Sequence, residues 1–203
     1  MNTFKSFESK LYTVNDQSFT DIALELFHFQ ALNNPVYNAF ITNLSVDIKA
    51  VRKVEQIPFL PISFFKQSLL MTGSWNPEVI FTSSGTGSNT TSRHAVYNAA
   101  FYLQHALRCF EVFFGPLTNF HLLALLPSYL ERQGSSLIAM IDHFIKHSAS
   151  PYSSFYLHDI DKLLSDIQKL QHDKQKVILW GVSFALLDLA DKYNIDLSTT
   201  MIV

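Results

Sequence analysis

In the second half of the chain, short apolar runs alternate with longer segments of mixed character, and this pattern narrows the fold more than any other feature. The runs cover 120–126, 155–157 and 177–180, and turn residues followed by helix-length stretches come after each: 135–146, 159–170 and 183–193. Apolar strands separated by helices of ten or more residues require a largely parallel sheet, because each crossover lays a helix on a sheet face. The expected fold class is α/β, a mostly parallel sheet flanked by helices.

The first half reads differently. Between 18 and 44, Ile22, Leu24, Leu26, Phe27 and Phe29, then Val36, Tyr37, Phe40 and Ile41, recur at helical spacing around the break Asn33-Asn34-Pro35, which predicts two helices joined by a turn. Two prolines in Ile57-Pro58-Phe59-Leu60-Pro61-Ile62 hold an apolar connector extended and exclude both helix and central strand. Past the turn residues 73–77, Val79-Ile80-Phe81 has the look of a short buried strand, and a long amphipathic helix is expected over 95–114, closed by Gly115-Pro116. The expected organisation is a helical N-terminal segment, 1–70, packed on an α/β nucleotide-binding domain, 71–203. The last residues, Ser198-Thr199-Thr200-Met201-Ile202-Val203, read as an extended apolar segment, either a final strand or a chain cut inside one.

Composition excludes several classes. A formal charge of -2 with no Lys/Arg block removes the electrostatic footprint of a nucleic-acid binder. The single cysteine, Cys109, excludes an intramolecular disulfide and a multi-cysteine metal site. No apolar run is long enough for a membrane span and no signal-peptide pattern opens the chain, so a cytoplasmic protein is expected. Charged residues make up only 16%, below the usual quarter, which leaves apolar surface for a partner or further chain to cover.

Hydroxyls and glycines concentrate in the stretch Phe81-Thr82-Ser83-Ser84-Gly85-Thr86-Gly87-Ser88-Asn89-Thr90-Thr91-Ser92-Arg93-His94. Glycines let backbone N–H groups converge, hydroxyls add donors, and a helix starting just afterwards would aim its positive dipole end at the same point. Such a loop suits the phosphates of a nucleotide, although a flexible Ser/Thr/Gly connector has the same composition. The Gly-Lys-Ser/Thr ending of a Walker A loop is absent, which disfavours a P-loop kinase or ATPase.

The loop resembles the phosphate-binding signature of adenylate-forming acyl-activating enzymes, usually Ser-Ser-Gly-Thr-Thr-Gly. Its surroundings are similar to the acyl-protein synthetase branch, the LuxE-type enzymes that activate fatty acids for bacterial bioluminescence. The similar segments are Phe29-Gln30 with Asn34-Pro35-Val36-Tyr37, then Ile57-Pro58-Phe59-Leu60-Pro61 with Phe65-Lys66, and Leu126-Pro127-Ser128-Tyr129-Leu130-Glu131-Arg132 with Ser135-Ser136-Leu137. Two departures stand out. Gly85-Thr86-Gly87-Ser88 brings the second glycine one residue early, and members of the branch continue past the point where this chain stops. The resemblance implies the N-terminal part of a ligase that uses ATP and Mg²⁺. A small-molecule carboxylate, fatty in most members, would attack the α-phosphate, expel pyrophosphate and leave an acyl-adenylate for transfer to a thiol or protein acceptor. By this resemblance Ser83, Ser84, Gly85, Thr86, Gly87 and Ser88 would hold the phosphates, with Thr90, Thr91, Ser92 and Arg93 beside them.

Other residues are weighed against plain structural roles. Tyr129 and Arg132 follow the 120–126 strand, and Gly181 follows the 177–180 strand, at the carboxyl ends where open α/β sheets place ligands; each would serve equally as part of a strand-to-helix turn. Cys109, flanked by Leu107 and Phe110, reads as inert core rather than a nucleophile. Asp142-His143 with His147 offers an i, i+4 spacing without an obvious third metal ligand, and His94 and His121 read as packing residues. The alternative to an enzyme is a truncated, non-catalytic binding module that retains the fold; an acyltransferase fold with no nucleotide is a third possibility.

Overall fold

The structure is a computed structural model describing residues 2–83, 91–126, 134–156 and 159–203. The chain divides into two compact units, Met1–Tyr97 and Asn98–Val203.

In the first unit, helices α1 (Asn2–Leu11), α2 (Phe19–Asn33), α3 (Pro35–Asn43) and the single turn α4 (Phe64–Gln67) precede a ribbon of β1 (Val79–Thr82) and β2 (Arg93–Val96). Asn34 organises the α2–α3 corner. Its amide N–H closes α2 on the Gln30 carbonyl, and its side-chain oxygen accepts the Tyr37 amide at 3.1 Å to cap α3. Pro35 occupies the first helical position of α3, where no N–H is needed. A cluster of Phe27, Ala31, Tyr37, Ile41 and Val51 fills the corner. The proline connector forms neither helix nor strand over 57–61 and is tied down where the Tyr37 hydroxyl donates to the Pro58 carbonyl at 2.7 Å.

The second unit is a three-layer α/β/α sandwich. Its elements are α5 (Ala99–Phe114), β3 (Phe120–Leu125), α6 (Ser136–His147), β4 (Ser154–Phe155), α7 (Ile160–Leu170), β5 (Lys176–Gly181), α8 (Ser183–Lys192) and β6 (Thr200–Ile202). The four strands are parallel and ordered β4-β3-β5-β6. Side chains alternate across a strand, so β3 divides its residues between the two helical layers. Leu123 and Leu125 pack with Val177 and Leu179 against Leu163, Ile167 and Leu170 of α7 and Ala185 and Leu189 of α8. Phe120 and Leu122 pack with Ile178 against Phe110 of α5 and Phe144 of α6. Ala124 faces Ile141 of α6. Caps match the chain's turn chemistry: Asn98, Ser135 and Asp159 each accept an amide from the first turn of the helix they open, and Gly115, at φ 89°, closes α5.

The structure corrects several expectations. The residues expected to form a helix over 95–114 instead begin in β2, and α5 starts at Ala99 because Asn98 supplies its N-cap. Val79-Ile80-Phe81 is a strand, but of an antiparallel ribbon, and Phe81 is the only one of the three that is buried. Alternating burial leaves Ile80 exposed. Strand β4 is shorter than 155–157: it ends at Phe155, while Tyr156 turns inward and Leu157 lies outside the described residues.

A buried carboxylate braces one layer. Asp166 on α7 accepts the Tyr156 hydroxyl at 2.9 Å, Lys169 at 3.0 Å and Lys162 at 3.2 Å. Burial opposes its ionisation, but the hydrogen bonds from Lys169, Tyr156 and Lys162 outweigh that cost and hold its pKa below the usual carboxylate value. The Tyr156 hydroxyl is pushed well above its ordinary range by burial and by the same carboxylate. Tyr156→Phe, which removes a hydrogen bond to a charged group, is expected to destabilise the protein by about 1.5–3 kcal/mol near pH 7. Because the folded pKa of Asp166 is depressed, its contribution is complete above the unfolded carboxylate value of about 4 and is lost as pH falls through the folded value. Urea unfolding of both proteins from pH 7 downward should therefore show the difference shrinking only in the acid range.

Candidate functional site

Two places in the fold collect the residues singled out in the sequence, one in each unit. In the first unit, the Ser/Thr/Gly segment joins β1 to β2. The ladder places Thr82 opposite Arg93 and Phe81 opposite His94. Past its end, the Ser83 amide donates to the Ser92 carbonyl at 3.2 Å, and the Ser92 amide returns a bond to the Ser83 hydroxyl at 3.1 Å. Ser83, Thr91, Ser92 and Arg93 are thus gathered at the base of a hairpin, with Arg93 exposed. Ser84, Gly85, Thr86, Gly87, Ser88 and Thr90 lie outside the described residues.

The hairpin overturns one part of the electrostatic expectation. The segment leads into a strand, and the nearest helix start lies beyond β2, where the Asn98 side chain already takes the Phe101 amide at 2.9 Å. Helix-dipole stabilisation decays within the first turn, so anion affinity at the hairpin must come from its own amides, its hydroxyls and Arg93. Behind it, His94 packs edge-on against Phe65 with ring centroids 5.9 Å apart, and burial lowers its pKa.

In the second unit, the strand order creates a switch point. The chain leaves β3 toward β4 through α6, on one face of the sheet, and leaves β5 toward β6 through α8, on the other. Departures in opposite directions make the carboxyl ends of these two strands the place where sheets of this kind hold ligands. Leu125 and Gly181 are register partners at that edge. Of the three residues expected there, Gly181 is in place, while Tyr129 and Arg132 lie outside the described residues. The glycine's open side is taken by its own chain: a Cβ at 181 would meet Leu186 Cδ2 and Cγ at 2.7 Å. Its amide donates to the Val203 carbonyl at 2.9 Å.

The remaining candidates resolve individually. Cys109 is exposed rather than core, because the inward side of α5 carries Ala106, Leu107 and Phe110; its sulfur lies 3.7 Å from His105 Nε2. The His143 and His147 rings lie 4.1 Å apart, but His147 Nδ1 is bonded to the His143 carbonyl and Asp142 is paired with Lys146. No group of three potential ligands that could hold a metal ion occurs among the described residues. Sequence reasoning missed a polar tie at the opposite edge of the sheet. His121, buried in β3, contacts the Ser150 hydroxyl through Nδ1 at 2.6 Å and faces Asp173 through Nε2 at 3.5 Å. Ser150 also accepts the Tyr152 amide, and Ser153 takes the Leu122 amide. The Ser150 and Ser153 bonds anchor the loop before β4 to β3. Their signal, serines and an aspartate far apart in sequence, becomes legible only once strand order is known.

No protein-family model, curated protein or solved structure matches this chain. Gly181→Ala tests whether the switch-point glycine is there for packing. It should destabilise the second unit by about 1–3 kcal/mol through overpacking, and Leu186→Ala in the same chain should recover part of the loss. Urea melts of the two single variants and the double variant measure that coupling.

Proposed function

We propose that this chain supplies the nucleotide-binding part of an adenylate-forming ligase of the acyl-protein synthetase kind, resembling the N-terminal portion of such enzymes. In this reading Mg·ATP binds at the β1–β2 hairpin, a carboxylate attacks the α-phosphate, pyrophosphate leaves, and the acyl-adenylate passes to a thiol or protein acceptor. The observation that carries the proposal is the hairpin base. Reciprocal bonds between Ser83 and Ser92 hold the two ends of the hydroxyl-rich segment together, with Thr91 and the exposed Arg93 beside them.

The residues present fit a polyphosphate better than a metal. Hydroxyls and amides donate to phosphate oxygens, and a guanidinium can bind two of them at once. Magnesium commonly keeps several waters and bridges phosphates rather than occupying an all-protein cage. The attacking carboxylate is already ionised at neutral pH and needs no general base. What the chain would contribute is orientation and neutralisation of charge building on the departing pyrophosphate.

The second reading, a non-catalytic module that keeps the fold, draws support from the position of α5. Its N-terminus lies beyond β2 and is capped internally, so the phosphates would lack the helix-end stabilisation common at such sites. Two measurements separate the readings. Mg·ATP at about 100 times its dissociation constant should stabilise the chain by roughly 2.7 kcal/mol, raising Tm by about 5–10 °C, with the effect lost in a Ser84→Ala/Thr86→Ala variant. Carboxylate-dependent exchange of labelled pyrophosphate into ATP would support the ligase. A thermal shift without exchange would favour the binding module, and no shift at millimolar Mg·ATP would count against both nucleotide readings.

A further inference from the structure

The first unit carries an open-mouthed cavity of about 510 Å3 whose described lining residues fall between Phe19 and Ala95, with Phe19 and Phe59 exposed to solvent. Its walls are mainly apolar, with Leu26 and Phe27 from α2, Leu60 from the proline connector and Phe65 from α4 among them. The volume lies within the range of small-molecule sites. Two features define what the cavity can hold. The first is charge: among the described residues the lining contains no Lys, Arg, Asp or Glu. Its histidine, His94, is partly exposed, and the partial burial it does have shifts it toward the neutral form; burial raises the pKa of the Tyr37 phenol, which stays protonated.

The second feature is hydrogen bonding. Most polar groups of the lining are already engaged with the protein. Asn34 bonds the Tyr37 amide and, at 3.3 Å, the Thr72 hydroxyl. The Tyr37 hydroxyl donates to Pro58, and the Trp75 indole N–H donates to the Thr72 carbonyl at 2.9 Å. Gln30 differs. It is half-buried in the lining, and among the described residues its side-chain amide has no hydrogen-bond partner.

We propose that this cavity binds an uncharged, largely apolar small molecule that offers one hydrogen-bonding group to the Gln30 amide. A carboxylate or ammonium would lose hydration there without a counter-charge, and a pure hydrocarbon would displace water from the Gln30 amide without replacing its hydrogen bond. An alcohol, ester or amide on an aliphatic or aromatic body meets both conditions. The site is independent of the nucleotide chemistry proposed above, whose acid is an anion and thus the kind of ligand this lining disfavours.

The test uses the full chain and N-phenyl-1-naphthylamine, a neutral dye that fluoresces in apolar surroundings. Saturable one-to-one binding is expected, with 1-decanol displacing the dye at a concentration at least tenfold lower than decanoate at pH 8. Leu26→Trp, which fills the cavity, should abolish dye binding while leaving the far-UV circular dichroism unchanged. Gln30→Leu should weaken displacement by decanol several-fold. The proposal is overturned by absence of saturable binding, by decanoate competing as well as decanol, or by a folded Leu26→Trp protein that binds dye like the wild type. Sedimentation showing the dye competing with self-association would make a second copy the occupant and would overturn it too. If Leu26→Trp fails to fold, the decanol and decanoate comparison on the wild-type chain decides the matter alone.

Discussion

β3 is buried along its whole length, and the organisation of the second unit follows from that. A strand with no solvated face needs a layer on each side and a strand on each edge, and the chain provides all four: α5 with α6, α7 with α8, β4 and β5. The demand also reaches the polar groups. His121 lies within this apolar strand, so Ser150 and Asp173 are drawn to the sheet edge to meet it. Asp166 and Tyr156 answer a similar need among the helices, where a carboxylate taken from water must find donors nearby.

Much of this was legible in the sequence because local chemistry and tertiary demand agree there. The apolar runs that become β3 and β5 are bounded by residues that cap or break helices, and the caps Asn34, Ser135 and Asp159 fall where pattern reading puts helix starts. The 93–96 stretch was misread for a physical reason. Ala95 and Val96 continue the apolar spacing of α5 backward, and nothing local in Arg93-His94-Ala95-Val96 reveals that Val79–Thr82 will pair with it. Cys109 misled similarly: apolar neighbours along the sequence do not share its helix face.

The candidate sites were legible to different depths. Composition alone pointed to the Ser/Thr/Gly segment, but its mounting on a hairpin, with Arg93 opposite Thr82, needed strand pairing. The carboxyl edge of β3 and β5 could be named from the order of strands and helices, yet the switch point depends on which strands become neighbours. The apolar cavity was not legible at all, since its walls come from α2, the proline connector, α4 and β2, which no local period connects.

The pairing of β3 with β5 also sets a schedule for the newborn chain. Phe120 takes Lys176 as its register partner, so at 5–20 residues per second the ribosome releases the second strand roughly 3–11 s after the first. For that interval one edge of the most apolar segment has no native neighbour, a state prone to mispairing. The helix already made covers it first, as Phe110 stacks edge-on against Phe120 at 5.4 Å, and Phe144 of α6 joins the same cluster a few seconds later. The aromatic packing of α5 on β3 thus gives the nascent strand a native contact before its sheet exists.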